Sequence, residues 1–288
     1  FQKIFQAISD SYDHNSSDRD MLERSLDISS QELNTANKMV RSALAALEEK
    51  NKDITDSINY AQKIQAAILP SDEYIKSLLP KHFVLFKPKD IVSGDFYWFA
   101  EKDGRALAVA ADCTGHGVPG AFMSMIGSSL LNESVIEKGI TDPGKILQAI
   151  KDGVIKALRQ TGGRLQQKDG MDMALCSFDV ANKNVQYAGA YNPLIIVRNG
   201  EVLETRADRM PIGIYEDDGG KTFTTHDIQL QDGDSVYIYS DGFVDQFGGP
   251  KGKKFMSKRF KQALIDAQPL TMEEQEKMLD KLVEDWRT

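Results

Sequence analysis

Cysteine is scarce in this chain: its 288 residues include only Cys113 and Cys176. Two cysteines without a C-x-x-C pair exclude a disulfide-built scaffold and favour a reducing, cytoplasmic setting. Apolar runs long enough to span a bilayer are also missing, so we expect no direct contact with a membrane. The net charge is −8, from 35 Lys and Arg against 43 Asp and Glu. This acidic balance argues against nucleic acid as a partner.

Glycine and proline are absent before Pro70, and within that stretch an apolar residue returns at every seventh position. The series runs through Leu26, Leu33, Val40, Leu47, Ile54, Ala61 and Ile68. With this series at heptad position d, position a alternates between polar and aliphatic residues, namely Ser30, Asn37, Leu44, Asn51, Ile58 and Gln65. Asn at position a specifies register and favours two strands, so the pattern predicts a homodimer through a parallel coiled coil.

Two other interpretations of the N-terminal pattern stay open. A second register puts the apolar series at position a and a weaker set at d, namely Ser29, Ala36, Ala43, Lys50, Ser57 and Ile64. The third interpretation is a long helix packed on its own domain. A strict seven-residue repeat over many turns is less consistent with that arrangement.

Pro70 is expected to end the helix, because proline cannot continue an α-helical hydrogen-bond ladder. We therefore predict a helical coiled-coil linker for dimerisation and signal transmission at residues 1–70 and a second domain at residues 71–288. The first residue is Phe1 rather than Met. We expect the chain to be a segment of a longer protein, with a sensory or receiver module before it.

Glycine-punctuated segments of alternating hydrophobicity follow Pro70, and they predict strands joined by tight turns. The predicted strands are 82–87, 95–101, 105–111, 171–179, 185–188, 194–197, 201–204, 222–228 and 235–239. The predicted helices are 119–137, 143–159, 257–266 and 272–286. Asp103-Gly104 and Asn199-Gly200 are typical hairpin turns. Antiparallel hairpins with helices grouped between them favour an α+β layered domain over a doubly wound parallel sheet.

Three aspartates stand at the ends of predicted strands, with a glycine adjacent or three residues away in the sequence: Asp95, Asp112 and Asp241. Glycine lets the backbone approach closely, and converging carboxylates are what hard divalent cations require. A cluster of carboxylates would repel itself unless Mg²⁺ or Mn²⁺ held it together. For any single Asp-Gly pair, an ordinary turn is the simpler interpretation.

Seven short motifs follow one another between residues 59 and 286. They are Ala61-Gln62-Lys63-Ile64-Gln65 with Leu69-Pro70, Val92-Ser93-Gly94-Asp95-Phe96-Tyr97, Ala111-Asp112-Cys113-Thr114-Gly115-His116-Gly117, Gly170-Met171-Asp172-Met173-Ala174, Ala188-Gly189-Ala190, Met210-Pro211-Ile212-Gly213 and Tyr239-Ser240-Asp241-Gly242. In order and spacing this set resembles the PPM (type 2C) metal-dependent protein serine/threonine phosphatases, in their bacterial SpoIIE-type branch. The resemblance implies two packed antiparallel sheets flanked by helices, an αββα sandwich, with a two-metal site between the sheets.

The resemblance also implies a set of metal ligands. Asp95 and Asp112 match the ligands that bridge or flank two Mn²⁺ or Mg²⁺ ions, Asp241 matches a ligand of one ion, and the carbonyl of Cys113 is a further candidate. Asp95 and Asp112 are accordingly expected to be catalytic. The implied chemistry is direct attack by a water activated between the cations, without a phosphoenzyme.

Two more residues of the motifs have open roles. His116 is a catalytic candidate because an imidazole could donate a proton to the departing serine oxygen. Its alternative role is a hydrogen bond that holds its own loop. Asp172 is a structural carboxylate or a ligand of a weak additional metal.

The chain departs from the family pattern at its end. Family members normally finish with a strand preceded by Asp-Asp or Asp-Asn, and the given sequence reaches Trp286-Arg287-Thr288 without such a final segment. We expect the second domain to lack its final strand and one metal ligand. The phosphate-binding arginine of some relatives has no clear counterpart. The basic segment 248–254 lacks the spacing of a P-loop and is either a solvated loop or a flap that helps seat a phosphoprotein.

The function implied by the resemblance is removal of phosphate from phosphoserine or phosphothreonine on a signalling partner. An anti-sigma-factor antagonist is the natural substrate in this branch. The N-terminal coiled coil would transmit a signal from a sensory module. The alternative is a catalytically inactive dimeric scaffold that keeps the fold and binds a phosphoprotein.

Overall fold

The protein is described by a computed structural model that covers residues 1–161, 169–215 and 220–287, without the side chains of Asp10 and Asp13. Its contacts divide the chain into two compact units, Phe1–Ser57 and Ile58–Thr288. No described helix combines the length and the apolar character needed to cross a membrane.

The first unit is helical throughout and belongs to α1, which spans Gln2–Ile68. Every described side chain of this unit is exposed. The heptad residues Leu26, Leu33 and Leu47 are 66%, 64% and 57% exposed. An uninterrupted helix follows from the absence of glycine and proline, but its apolar seam has no packing partner within the unit.

The second unit alternates strands and helices. After the end of α1, its helices are α2 (Asp72–Leu78), α3 (Gly117–Leu131, continued by a π-helical segment Asn132–Glu137), α4 (Pro143–Ala157), α5 (Ser257–Ala267) and α6 (Met272–Arg287). Its strands are β1 (Phe96–Lys102), β2 (Arg105–Cys113), β3 (Met171–Asp179), β4 (Asn184–Ala190), β5 (Leu194–Arg198), β6 (Glu201–Thr205), β7 (His226–Gln229), β8 (Ser235–Ile238), β9 (Phe247–Gly248) and β10 (Lys253–Lys254).

The strands form a five-stranded sheet, a three-stranded sheet and a short hairpin. The five-stranded sheet has the order β1-β2-β3-β4-β7, and the three-stranded sheet has the order β6-β5-β8. All pairings within these sheets, and that of β9 with β10, are antiparallel. The turns predicted at Asp103-Gly104 and Asn199-Gly200 join hairpin strands, and all four residues have positive φ, as this turn type requires.

Three apolar clusters define the layers of the second unit. The first lies between the five-stranded sheet and the helices α3 and α4. The second lies between the three-stranded sheet and the helices α5 and α6. The third joins the two sheets, with Cys176 and Tyr187 from one against Leu194 and Ile196 from the other. The predicted α+β fold of two packed antiparallel sheets flanked by helices is confirmed.

The predicted strand at 82–87 is wrong. Residues 83–88 have no regular secondary structure, and Phe83 and Leu85 instead pack against the second apolar cluster. Phe86 contacts Tyr97 with ring centroids 5.4 Å apart. The short apolar run at residues 83–86 therefore reflects loop side chains that pack against different neighbours rather than a hydrogen-bonded ladder.

Helix α2 was missed, although its sequence carries an N-cap. The side chain of Ser71 accepts a hydrogen bond from Tyr74 N, and Asp72 and Glu73 occupy the first turn. The strand predicted at 222–228 is confined to β7, because Phe223 is buried in the first apolar cluster instead. Helix α1 ends at Ile68, as the stop signal at Pro70 predicts. A domain boundary near residue 70 stays a prediction.

Candidate active site

Strand pairing in the five-stranded sheet brings three aspartates to one end of it. Asp112 in β2 is the direct partner of Asp172 in β3. Asp95 immediately precedes β1, whose first residue Phe96 pairs with Ala111. Because neighbouring strands lie about 4.8 Å apart, Asp95, Asp112 and Asp172 come from three adjacent positions across the sheet.

A fourth aspartate comes from the other sheet. Asp241 lies in the turn that follows β8, and the preceding Ser240 donates a hydrogen bond of 2.8 Å from Oγ to Asp95 Oδ2. A Cβ added to Gly242 would lie 3.7 Å from the same oxygen. The Asp241 turn therefore rests directly against Asp95, so the site forms where the two sheets meet.

Gly94 allows the loop before β1 to approach the loop after β2. A Cβ at this position would lie 2.7 Å from Gly115 O and 3.2 Å from Cys113 O. No side chain fits in that space without moving backbone atoms. The glycine next to Asp95 is thus required for the close packing that brings Asp95 beside Asp112.

The electrostatics of the cluster are unusual for carboxylates. Burial, followed by the neighbouring carboxylates of Asp95 and Asp241, raises the pKa of Asp112 to about 8. The Asp112 carboxyl group is also within hydrogen-bonding reach of both neighbours. Burial and then the charge of Asp241 raise the pKa of Asp172 to about 6. Carboxylates that lie close together and away from water bind protons more tightly than isolated carboxylates, because burial and mutual repulsion both disfavour the ionised form.

Comparison with known proteins gives this cluster a family context. The family described as Stage II sporulation protein E (SpoIIE) matches residues 102–288. The chain belongs to the SpoIIE family. It is therefore a PPM (PP2C-type) phosphatase domain preceded by a long helix, as its motifs predict. Among curated protein sequences, none matches the chain.

Several solved structures share the SpoIIE-type fold. The SiaA-PP2C domain of Pseudomonas aeruginosa is 33% identical, with a TM-score of 0.73, and the match covers 82% of this chain and 92% of that domain. The PP2C phosphatase domain of SpoIIE from Bacillus subtilis, with a fragment of its regulatory domain, is 22% identical, with a TM-score of 0.53. The match covers 68% of this chain and 54% of that one. The RsbU and RsbW domains of a Mycobacterium tuberculosis protein are 20% identical, with a TM-score of 0.53 and coverages of 70% and 54%. The last two show the fold alone, and this chain spans about half of their lengths.

The donor set of this SpoIIE-type site fits divalent cations, and PP2C-type phosphatases are metal-dependent. Asp95, Asp112 and Asp241 supply anionic oxygens, which are the ligands that Mg²⁺ and Mn²⁺ prefer. Among the residues that the structure describes, no Lys, Arg or His lies within ion-pair distance of Asp95, Asp112 or Asp241, and the pKa of Asp112 is raised by burial and by these neighbouring carboxylates. In the described parts of the chain, no three His, Cys, Asp or Glu side chains already have the geometry of a metal cage. Bound cations would have to draw these carboxylates into their final positions.

Cys113 fits the site through its backbone rather than its thiol. Its side chain is 3% exposed, and burial with the neighbouring carboxylates holds the pKa of the thiol well above its ordinary value. The carbonyl oxygen lies against Gly94, next to Asp95. A role for that carbonyl as a metal ligand stays a prediction.

His116 lies at the rim of the site. Its Nδ1 is 3.0 Å from Asp90 Oδ2, and its side chain is 79% exposed. It precedes the first residue of α3 and makes no side-chain capping bond there. This contact fits the role of holding the loop, while proton donation by His116 stays a prediction.

Gln65 was not predicted as a site residue, yet it contacts the loop that carries Asp95. Its Nε2 donates to Ser93 O at 2.6 Å and to Ser124 Oγ at 2.9 Å, and Ser93 N donates to its Oε1 at 3.0 Å. Gln65 is 7% exposed near the end of α1. The only sequence signal was its place in the Ala61-Gln62-Lys63-Ile64-Gln65 motif, because a glutamine at a heptad position is ordinarily a polar seam residue.

Proposed function

We propose that this protein is a Mn²⁺- or Mg²⁺-dependent phosphatase that hydrolyses phosphoserine or phosphothreonine on a partner protein. The observation that carries the proposal is the meeting of Asp95, Asp112 and Asp241 from two sheets in a domain of the SpoIIE family. Carboxylates that converge from separate elements, with no ion-paired Lys or Arg among the described residues, are typical of a metal-assisted hydrolytic site.

Asp95, Asp112 and Asp241, with the carbonyl of Cys113, would hold the cations. Divalent cations supply Lewis acidity and positive charge beside a phosphoryl group. Ser240 orients the Asp95 carboxylate by donating a hydrogen bond to its Oδ2. Asp112 must release its carboxyl proton before both of its oxygens can act as ligands. Orientation of the Asp95 carboxylate and release of the Asp112 proton thus depend on residues of this chain.

A phosphoprotein is the proposed substrate class because this family consists of phosphatase domains and Asp241 is exposed at the site. An open site suits a phosphorylated side chain on a large partner better than a small molecule, which would be enclosed. The family resemblance suggests an anti-sigma-factor antagonist or a protein of similar regulatory role.

The direct test is phosphate release from a phosphoserine peptide in Mn²⁺, Mg²⁺ or EDTA. We expect turnover in Mn²⁺ or Mg²⁺, none in EDTA, and a loss of at least about a hundredfold in Asp112→Asn, since even residues that only orient metal ligands cost 10–100-fold. Asp266→Asn removes an exposed carboxylate from α5 and is the matched control. A folded protein that binds the peptide but releases no phosphate under any condition would instead be the inactive scaffold.

We further propose that α1 forms a parallel homodimer and regulates the site. Its apolar seam is exposed within a single chain, and a second copy with the same heptad pattern would cover it. Gln65, near the end of the same continuous helix, bonds to the loop that precedes Asp95. A change of helix register would move Gln65 and with it the position of Asp95.

Two neighbouring cysteine substitutions can separate the registers. Leu44→Cys lies at position a of the first register, and Ala43→Cys lies at position d of the second. The native Cys113 and Cys176 are both buried and would not interfere. We expect disulfide-locked dimers to differ in activity by about fivefold or more, a typical allosteric coupling, and to converge after reduction. Equal activity in both locked dimers would overturn the regulatory proposal. If one of the two variants fails to crosslink, the register that it represents is not formed.

A further inference from the structure

The segment from Gln246 to Ile265 has a charge opposite to that of the whole protein. It contains six basic residues and no acidic one: Lys251, Lys253, Lys254, Lys258, Arg259 and Lys261. The complete chain has a net charge of −8. A local excess of positive charge on an acidic protein creates a field that attracts acidic partners to one place.

The first part of this segment, residues 247–254, is the basic hairpin formed by β9 and β10, and it starts beside the candidate active site. Asp245 N donates to Asp241 O at 2.8 Å, so Asp245 lies one helical turn beyond the site aspartate. Lys254 Nζ binds Asp245 Oδ2 at 2.5 Å. The base of the hairpin is therefore tied to the turn that carries Asp241.

The basic hairpin is anchored on α6. Gly249 N donates to Trp286 O at 2.7 Å, and Trp286 Nε1 donates to Gln246 O at 3.1 Å. The Arg259 guanidinium stacks over the Trp286 ring at 4.4 Å from its centroid. A Cβ added to Gly248 would overlap Trp286 O. Two strands of two residues would be unstable alone, so these contacts are what hold the hairpin in place.

The cations of the segment divide into structural and unengaged ones. Lys254 pairs with Asp245, Lys261 pairs with Glu204, and Arg259 covers Trp286. Lys251, Lys253 and Lys258 are exposed and have no carboxylate within ion-pair distance among the residues that the structure describes. Lys251 and Lys253 flank Gly252 in the hairpin, whereas Lys258 lies on α5. Phe247 on the facing strand is 61% exposed. The hairpin thus presents two unengaged cations and an exposed aromatic ring, and its base is tied to the turn that carries Asp241.

We propose that the basic hairpin is a docking surface for acidic residues that flank the phosphorylated residue of the partner. This inference rests on the proposed phosphatase function and adds the charge of the substrate. Lys251 and Lys253 would contact carboxylates of the partner, and Phe247 would supply an apolar anchor. Contacts with the residues that flank the phosphorylated side chain would let the protein select one phosphoprotein over another.

The test uses the whole protein with Mn²⁺ and two dye-labelled peptides that carry a non-hydrolysable phosphonate analogue of phosphoserine. One peptide has Asp and Glu around the phosphonate, and the other has Lys. Fluorescence anisotropy measures binding without requiring turnover. Lys251→Glu with Lys253→Glu is the test variant, and Lys145→Glu with Lys156→Glu is the control, since both control lysines are exposed on α4 and the change in net charge is the same. Lys251→Gln with Lys253→Gln removes charge without reversing it.

We expect the wild-type protein and the α4 control to prefer the acidic peptide. The Lys251→Glu, Lys253→Glu variant should bind the acidic peptide about tenfold more weakly, with a smaller loss at higher salt and for the Gln variant. Its affinity for the Lys peptide should not fall. Three results would overturn the proposed docking surface. The Lys251→Glu, Lys253→Glu variant could lose the same affinity for both peptides, it could lose no affinity for the acidic peptide, or the α4 control could lose as much affinity as this variant. Phosphate release by the wild-type protein from the phosphoserine peptide, measured separately, tests the phosphatase proposal independently.

Discussion

Two aspartates of the second unit have opposite electrostatic surroundings. The side chain of Asp234 is 2% exposed, and it binds Arg198 through Nη2 at 2.6 Å and Nε at 2.9 Å. These hydrogen bonds hold the pKa of Asp234 below its usual value. Asp112 faces Asp95 and Asp241 instead, and its pKa is raised to about 8. Among the described residues, Asp234 is neutralised by an arginine of the protein, whereas Asp95, Asp112 and Asp241 have no Lys, Arg or His within ion-pair distance.

The largest expected difference between the two aspartates is in stability without metal. In EDTA, Asp234→Asn should lower the free energy of unfolding by about 1.5–3 kcal/mol, because a charge-assisted hydrogen bond is lost from a nearly buried group. Asp112→Asn should cause no loss, since it removes repulsion between carboxylates. Urea unfolding followed by circular dichroism measures both. Similar losses in the two variants would show that Asp112 has a structural partner after all.

A second prediction concerns the hydroxyl that holds Asp95. Ser240→Ala should weaken Mn²⁺ binding by about 10–100-fold, because residues that orient metal ligands typically contribute that much. The rise in melting temperature on adding Mn²⁺ reports this affinity without any activity assay. Ser129→Ala, an exposed serine on α3, is the control. An unchanged Mn²⁺ titration would mean that Asp95 needs no help from Ser240.

The smallest expected effect is the pH dependence of the Arg198–Asp234 pair. The folded pKa of Asp234 lies below its unfolded value of about 3.9, so the stabilisation is complete above that pH. It is lost as the pH falls through the folded pKa. The stability difference between wild type and Asp234→Asn should therefore be constant from about pH 7 to 5 and shrink below about pH 4. A difference that shrank already between pH 7 and 5 would contradict the lowered pKa.

Sequence patterns predicted the second unit well where local signals and tertiary contacts agree. The strand predicted at 171–179 coincides with β3, and the turns at Asp103-Gly104 and Asn199-Gly200 occur as expected. Buried alternation and positive-φ residues are local properties, so they can be read from neighbours in the chain. The strand predicted at 82–87 is wrong because a short apolar run also occurs where the side chains of a loop pack against different neighbours.

The candidate site was predicted in part. Asp95, Asp112 and Asp241 were selected by their glycine neighbours and by the family motifs, and the structure brings them together. Ser240 and Gln65 were not selected, although both support Asp95. A serine next to an aspartate and a glutamine in a long helix have no distinctive pattern, because their partners lie far away in sequence.

The sequence by itself determined the long N-terminal helix, the layered α+β fold and the aspartates beside glycine, since each depends on residue type and short-range periodicity. Only the tertiary structure decided which aspartates meet a basic side chain and which meet other carboxylates among the described residues. Asp112 and Asp234 both lie at or next to a strand end, but one meets two carboxylates and the other meets Arg198. The difference arises from strand register and sheet packing, and burial then makes each neighbouring charge count far more than it would in water.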